Sequence, residues 1–337
     1  MSKLDELIQE YCPNGVEYRK LEDCCTVLDK KRKPVTKAAR EAGEYPYYGA
    51  NGIQDYVSNY IFDGTFVLVG EDGSVITKAG TPVVTWAEGK IWVNNHAHII
   101  EETNGVLLRY LFHYIQTIDV TPLIHGNIPK LTGGDFRALQ IPVPPLPVQS
   151  EIVRILDNFT ELTAELTAEL TARKKQYEFY RDKLLTFDAD IPFVALSELC
   201  DIGDGLHGTP EYNDNGEYYF INGNNLSNGR IIVDSKTKRI TESEYQKIQV
   251  PFGNTLLFSI NGTIGNIAIY NDEKIALGKS AAYFNIISDR LLLKYLFYVL
   301  QSNQTMAYFE KNLTGSTIKN LGLKTLRDYQ IALPALD

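Results

Sequence analysis

No run of apolar residues in the sequence reaches the roughly 18 that a membrane-spanning helix needs, so no membrane segment is expected. The first residues, MSKLDELIQEYC, are charged and lack the apolar core of a secretory signal. These two absences predict a cytoplasmic protein that does not associate with membranes.

Cysteine is scarce: the 337 residues include four, Cys12, Cys24, Cys25 and Cys200. They form no Cys-x-x-Cys pair and no metal-ligand spacing, so we expect reduced, buried thiols. The net charge of −9 argues against a protein that coats nucleic acid without selectivity, although it is compatible with local basic clusters. The length of 337 residues predicts about two domains.

Motifs of the common enzyme classes are also missing. There is no Gly-x-Ser-x-Gly and no glycine-rich dinucleotide fingerprint, and ALGKS (276–280) lacks the first glycine of a phosphate loop because Glu273 stands there. His96 and His98 share a face if NNHAH is a strand. A metal site needs a third ligand, and no neighbouring cysteine or carboxylate cluster is evident. We therefore expect no catalytic residues, no metal and no bound cofactor.

Glycine and proline are absent from one long segment, residues 148–187. Its apolar residues recur at spacings of three, four or close multiples, and Thr-Ala-Glu-Leu repeats without change inside LTAELTAELTA (162–172). This pattern predicts one helix of about 60 Å, which needs an apolar partner along its stripe. The stripe residues are Ile152, Ile155, Leu156, Phe159, Leu162, Leu166, Leu170, Tyr177, Tyr180 and Leu184.

The two halves that this segment separates resemble each other. LLRYLFHYIQ (107–116) matches LLKYLFYVLQ (292–301), and VEYRKLEDCC matches IPFVALSELC. In each half, apolar runs broken by turn residues are typical of short strands. The predicted fold class is α+β, with two similar strand-rich domains at 1–145 and 189–337 joined by a long central helix at 146–188 that forms a coiled-coil spacer.

Basic residues cluster near polar and aromatic turns in both halves. KKRK (30–33) precedes YYGANG (47–52), and DSKTKRI (234–240) follows FINGNNLSNG (220–229). Lysine and arginine neutralise phosphates and asparagine can pair with adenine edges, which suggests DNA contacts. Asparagine is also a common turn residue, and a charged run is often a solvated face. The residues predicted to contact DNA are Lys30, Lys31, Arg32, Lys33, Tyr47, Tyr48, Asn51, Asn94, Asn95, His125, Lys130, His207, Thr209, Tyr212, Asn222, Asn224, Asn225, Lys236, Lys238, Arg239, Asn261, Lys279 and Lys319.

The proline-rich entry and the repeat-bearing helix, PVPPLPVQSEIVRILDNFTELTAELTAELTARKKQYEFYRDKLLTF, resemble the central conserved region of specificity subunits of bacterial type I restriction–modification systems. DELIQEYCPNGVEYRKLEDC, WVNNHAH, GDGLHGTPEY and FINGNNL support the resemblance, which covers nearly the whole chain. It implies a DNA reader without chemistry of its own. Each half would be a target recognition domain that reads one part of a split, double-stranded DNA sequence.

The same resemblance implies the partners. The segment 148–187 would be the spacer and the dock for two methyltransferase subunits, which transfer a methyl group from S-adenosylmethionine to adenine. A further motor and nuclease subunit would cut unmodified DNA. Because one Thr-Ala-Glu-Leu unit adds about 6 Å of helix and DNA advances about 3.4 Å per base pair, each unit would change the unread gap by one or two base pairs.

One departure from the family concerns the end of the chain. The family normally has a second long helix after the second domain, whereas this sequence stops at Asp337. Three explanations are open: a chain shortened at this point, a natural truncation that borrows a helix from a second copy, and an inactive product of gene rearrangement. The rival hypotheses are a structural adaptor that pairs through its helix without reading DNA, and an enzyme with an unrecognised site.

Overall fold

The computed structural model describes residues 2–73, 75–188, 190–248, 250 and 252–335. The chain divides into two compact units, residues 1–167 and 168–337. The division falls inside the long helix, so that helix contributes to both units, whereas the sequence suggests a separate segment at 146–188. Each unit combines helices with many short strands, which confirms the predicted α+β class.

The first unit has most of its strands in one sheet. Its strands are β1 Tyr18–Lys20, β2 Thr26–Val27, β3 Ala42–Gly49, β4 Gly52–Val57, β5 Phe62–Gly70, β6 Val84–Val93, β7 Ala97–Glu101, β8 Ile124–His125, β9 Lys130–Leu131 and β10 Gln140–Pro142. Its helices are α1 Lys3–Tyr11, α2 Leu21–Cys24, α3 Leu108–Ile115 and α4 Gly133–Ala138, and α5 Leu146–Leu184 begins here. The sheet has the order β2-β7-β5-β6-β3-β4, with β3 and β6 parallel.

The second unit divides its strands between two larger sheets. Its strands are β11 Phe193–Ala195, β12 Cys200–Asp204, β13 Tyr218–Ile221, β14 Leu226–Ser227, β15 Arg230–Ile231, β16 Arg239–Ile240, β17 Thr255–Ser259, β18 Ile267–Ile269, β19 Ile275–Leu277, β20 Ala281–Ile286 and β21 Gln330–Ala332. Its helices are α6 Leu196–Leu199, α7 Glu242–Tyr245, α8 Leu293–Leu300, α9 Asn303–Lys311 and α10 Leu323–Asp328. The sheet orders are β12-β20-β17-β18 and β16-β13-β19, with β13 and β19 parallel.

The internal similarity of the sequence appears as a repeated plan. In each unit an early strand pairs with a late one, β1 with β10 and β11 with β21. The matching helices α3 and α8 are held by equivalent tyrosines: the Tyr110 hydroxyl donates to the Pro142 carbonyl at 2.8 Å, and the Tyr295 hydroxyl donates to the Ala332 carbonyl at 2.6 Å. Helix α9 follows α8, whereas a single 3-10 turn at Thr121–Leu123 occurs after α3.

The first unit packs its sheet between two apolar clusters. Because side chains alternate along a strand, Val67 and Val69 of β5 pack in the cluster that contains Leu111 of α3, while Phe66 and Leu68 pack in the other. All four cysteines are buried and free, as predicted, and burial raises the pKa of Cys25 and of Cys200 to about 12. These thiols are therefore protonated and unreactive near neutral pH.

Helix α5 is hydrogen-bonded to other segments of the chain near its start and near its end. Near its start the buried Gln149 side chain donates to the Pro144 carbonyl at 2.7 Å and accepts from the Leu107 amide at 2.9 Å. Near its end Asp182 accepts from the Asn303 amide at 3.3 Å. No helix among the described residues is both long enough and apolar enough to cross a membrane, α5 included.

Candidate DNA interface and helix surface

Six of the residues predicted to contact DNA line one cavity of the second unit, with a volume of about 250 Å³. The end of β13 and the loop that leads to β16 form its walls. The six residues are Tyr212, Asn222, Asn224, Asn225, Lys236 and Lys238. The cavity depends on this loop closing back on itself, and a hydrogen bond of 3.0 Å from the Asn225 side-chain amide to the Ile232 carbonyl holds it closed.

The asparagines of this cavity have different roles. Asn222 and Asn225 cap the 3-10 turn at Gly223–Asn225, and Asn225 also donates to Thr237, so both hold the loop in shape. Asn224 is exposed at the cavity, and no hydrogen bond of its side chain is found within the described part of the chain. Its amide can therefore offer one donor and one acceptor group to a ligand.

Aromatic and basic side chains complete the cavity. The rings of Tyr212 and Phe220 meet edge to face at 5.9 Å, and the Lys238 ammonium lies 6.0 Å from the centre of the Tyr212 ring. Arg239, by contrast, lies over the Tyr219 ring at 4.4 Å and donates to its hydroxyl, so it packs on the sheet rather than lining the cavity. The cavity thus offers amide, ammonium and aromatic groups together, which is a suitable set for nucleic acid.

The other predicted residues of the second unit do not line this cavity. His207 is paired with Asp204 at 2.8 Å, and the Asn261 amide donates to Asn320 at 3.2 Å. Thr209, Lys279 and Lys319 are exposed.

In the first unit, Tyr47 is buried and belongs to the wall of a second cavity of about 250 Å³. The Arg40 guanidinium lies 4.1 Å from the centre of the Tyr47 ring, and the Trp92 ring stacks on it at 6.4 Å. The Tyr47 hydroxyl accepts from the Val35 amide at 3.0 Å, which fixes the loop after the basic run. Neither Arg40 nor Trp92 is among the residues predicted to contact DNA. The parallel pairing of β3 with β6 sets Trp92 opposite Tyr47, which no sequence spacing indicates.

The remaining predicted residues of the first unit divide by exposure. Tyr48 and Asn94 are buried, and the Asn94 amide donates to Gln54 at 3.3 Å. Exposed side chains are those of Lys30, Lys31, Lys33, Asn51, Asn95 and Lys130. The side chain of His125 lies outside the described residues, as does the chain end at Asp337.

Arg32 differs from its basic neighbours because it is held inside the first unit. Its guanidinium donates to Glu71 and to the Ala97 carbonyl, both at 2.6 Å, and its ion partner Glu71 is as little exposed as Arg32, at 12%. His98 faces Asp29 at 2.7 Å and the Leu131 carbonyl at 3.0 Å. The basic run is therefore one internal arginine among exposed lysines.

The expectation that no carboxylates gather near the histidines was wrong. Asp29, Glu71 and His98 place possible ligand atoms within 4.8 Å of one another, although they are distant in sequence. His96 is not part of this cluster, and its ring pairs with Asp72. Arg32 and Lys130 already balance the two carboxylates of the cluster, so an ion network accounts for it without a metal.

Asp29 carries its charge within this network. Burial raises the pKa of its carboxyl, but hydrogen bonds from His98 and from the Ile99 amide, with the charge of Arg32, outweigh burial and lower the pKa below its usual value. A lowered folded-state pKa contributes stability that is present above about pH 4 and is lost as the pH falls through the folded value.

We expect Arg32→Ala to lower the free energy of unfolding by about 3 kcal/mol, because it leaves Glu71 and Asp29 without their buried cation. Lys31→Ala is the matched control: its side chain is exposed, and a change within about 0.5 kcal/mol is expected. Urea unfolding of both variants measures the difference. Equal stability of the two variants would contradict the internal role of Arg32.

The middle of α5 presents an apolar surface. Every residue from 158 to 180 is exposed. At about 100° per residue, seven large side chains fall within an arc of about 80°, over about 38 Å of helix. This apolar stripe consists of Phe159, Leu162, Leu166, Leu170, Tyr177, Tyr180 and Leu184, each at least 48% exposed.

Three other predicted docking residues lie at the edge of the first unit. Ile152 packs against the core of that unit, so its side chain already has apolar neighbours. Ile155 is half-buried and Leu156 is 38% exposed. Phe179, which the apolar periodicity did not predict, is 61% exposed on the side of the helix opposite the stripe.

Comparisons with known proteins agree with this architecture. Residues 13–173 and 189–337 match the type I restriction modification DNA specificity domain. A putative type I restriction enzyme specificity subunit of Haemophilus influenzae is 34% identical over 336 residues, which cover 95% of this chain and 84% of that protein. The EcoR124I/EcoR124II specificity subunit of Escherichia coli is 30% identical over 257 residues, which cover 70% of this chain and 61% of that protein.

Solved structures agree in fold. A type I restriction–modification S subunit from M. genitalium superposes with a TM-score of 0.58 at 14% identity, covering 94% of this chain and 85% of that one. The two family domains, the long helix and the identity to specificity subunits together identify the family. The chain therefore belongs to the DNA specificity subunits of type I restriction–modification systems, whose role in those systems is non-catalytic.

Proposed function

We propose that the chain reads a bipartite target in double-stranded DNA, one part with each unit, and docks the subunits that modify and cut that DNA. The observation that carries this proposal is the cavity of the second unit, where Asn224, Lys236, Lys238 and Tyr212 converge. Lysines there would neutralise phosphates, and the exposed Asn224 amide would meet a base edge. The paired, buried residues nearby would hold these groups in position.

The net charge of −9 favours weak binding by the isolated chain. Tight and selective binding would then need partner subunits that close around the duplex. Comparable affinity and selectivity of the isolated chain and the assembled complex for one short duplex would contradict this part of the proposal.

The apolar stripe of α5 supports the docking part. Exposure of a continuous row of large apolar side chains to water is unfavourable in free energy. Such a row is typical of a helix that packs on a partner. We assign this row to methyltransferase subunits, two for a full specificity unit, which would bring S-adenosylmethionine and connect to the motor and nuclease subunit. We infer that this chain itself binds no cofactor. A second copy of the chain is the other partner that the stripe could accept.

We expect the double substitution Lys236→Ala and Lys238→Ala to weaken DNA binding by the assembled complex for all sequences alike. Loss of two phosphate contacts should also reduce the slope of log affinity against log salt by about 2. Titration of a target duplex at several salt concentrations measures both effects. Lys324→Ala is the control, because Lys324 is 90% exposed in the same unit and pairs with Asp328 on its own helix.

Substitution of Asn224 tests base reading separately from phosphate binding. Asn224→Ala should relax the sequence preference of one half of the target and leave the other half unchanged, as seen by selection from a random duplex library. If the wild-type complex selected no sequence from the library, the chain would instead be an assembly adaptor. An unchanged preference in the variant would remove Asn224 from base reading.

A further inference from the structure

Each unit has an exposed isoleucine near the tip of a loop, and the two loops occupy equivalent positions in the two units. Ile128 lies in HGNIPKL (125–131) and is 69% exposed, and Ile318 lies in TGSTIKNL (314–321) and is 61% exposed. An aliphatic side chain left in water contributes little to folding. Its presence at matching positions of both units indicates a use for it.

The two loops are built in the same way. Gly126 and Gly315 precede the isoleucines with φ of 86° and 85°, a conformation that favours glycine. A neighbouring loop then supports each tip with one backbone hydrogen bond. The Gly73 amide donates to the Pro129 carbonyl at 3.0 Å, and the Gly262 amide donates to the Lys319 carbonyl at 2.9 Å.

The supporting glycines also correspond. Gly73 has φ of 76° and Gly262 has φ of 75°, and each donates to the residue that directly follows the isoleucine. In the second unit, Thr314 and Asn320 close the loop through two backbone hydrogen bonds of 2.9 Å. In the first unit, β8 and β9 close it. Each isoleucine is therefore presented from a braced loop.

The surroundings favour DNA as the occupant. Lys130 and Lys319, both exposed, follow the isoleucines within two residues. When an apolar tip approaches the bases of a duplex, a lysine beside it can contact the phosphates that flank them. Apolar side chains such as isoleucine can insert between base pairs and partly unstack them. Insertion tolerates many sequences, which explains how both units can use the same residue while reading different half-targets.

We propose that Ile128 and Ile318 are apolar wedges, each inserting at a base step of the DNA that its own unit binds. This inference rests on the proposed function, because it requires a bound duplex. It predicts a local effect: each isoleucine unstacks bases in one half of the target.

The test uses the chain assembled with its methyltransferase subunits and a target duplex that carries 2-aminopurine at one position at a time. Unstacking raises the fluorescence of this base. We expect a rise at one step in each half with the wild-type complex. Ile318→Ser should abolish the rise in one half and Ile128→Ser in the other, each with roughly tenfold weaker binding.

Exposed isoleucines elsewhere provide matched controls. Ile287→Ser in the second unit, at 67% exposure, and Ile53→Ser in the first, at 47%, should leave both fluorescence and binding unchanged. No rise at any position with a bound wild-type complex would overturn the wedge and leave the proposed function standing. Loss of methyltransferase binding in the isoleucine variants would also overturn it, in favour of a protein contact. Failure of the wild-type complex to bind the duplex would overturn both proposals.

Discussion

Deletion of one Thr-Ala-Glu-Leu unit, residues 163–166, is expected to shorten the unread gap of the DNA target by one or two base pairs and to leave both half-sequences unchanged. The deletion removes about 6 Å of helix, against about 3.4 Å per base pair of duplex. The half-sequences should persist because the cavities of both units lie outside the deleted residues. Sequencing of methylated sites measures the gap directly.

We expect the repeat to tolerate this change for a local reason. All its residues are exposed, and the Thr163 and Thr167 hydroxyls donate to carbonyls four residues earlier, both at 2.7 Å. After the deletion Thr167 takes the place of Thr163, so each threonine keeps a carbonyl partner. Thr167→Ala is the control, because it alters the repeat without altering its length. An original gap in the deletion variant would contradict the idea that the helix sets the spacing.

Replacement of Leu162, Leu166 and Leu170 by glutamine is expected to abolish co-purification with the methyltransferase and hence methylation. Full burial of one leucine contributes about 1.5–3 kcal/mol. Because docking would bury about the exposed half of each side chain, loss of all three corresponds to a complex weakened by about two to three orders of magnitude. The thermal stability of the isolated chain should change little, since the three side chains are 49–57% exposed and glutamine is a good helix former.

A triple substitution of polar residues on the same helix is the control. It distinguishes loss of the apolar stripe from disruption of the helix itself. Glu161, Glu165 and Glu169 are exposed in the same repeats, and their replacement by glutamine introduces the same residue the same number of times. Co-purification should then persist. Equal loss in both triple variants would show that the leucines have no special part in docking.

The long helix and the repeated domains could be predicted from the sequence because their signals are local or periodic. Proline before the helix, the absence of glycine within it and the spacing of its leucines required no knowledge of tertiary contacts. The helix begins at Leu146 and ends at Leu184, close to the predicted 148–187. Ile152 was assigned to a partner, because periodicity cannot distinguish a core within the same chain from another protein.

The candidate site was less predictable because it depends on which distant residues meet. Arg32 reads as part of a basic run, and its internal role follows from Glu71, which lies 39 positions away. The cluster of Asp29, Glu71 and His98 has no sequence spacing that indicates it. The paired isoleucines were equally hidden, since exposure is a property of the fold, although the similarity of the two halves offered a way to find them.

We would first sequence methylated bases in cells that express this chain with its methyltransferase subunit, against cells that lack the chain. If the chain directs methylation to a split DNA target, methylated adenine should appear in both parts of one new bipartite motif. A palindromic split motif would indicate two copies that each use one unit. An identical methylation pattern with and without the chain, while the methyltransferase is present and folded, would show that the chain does not direct methylation.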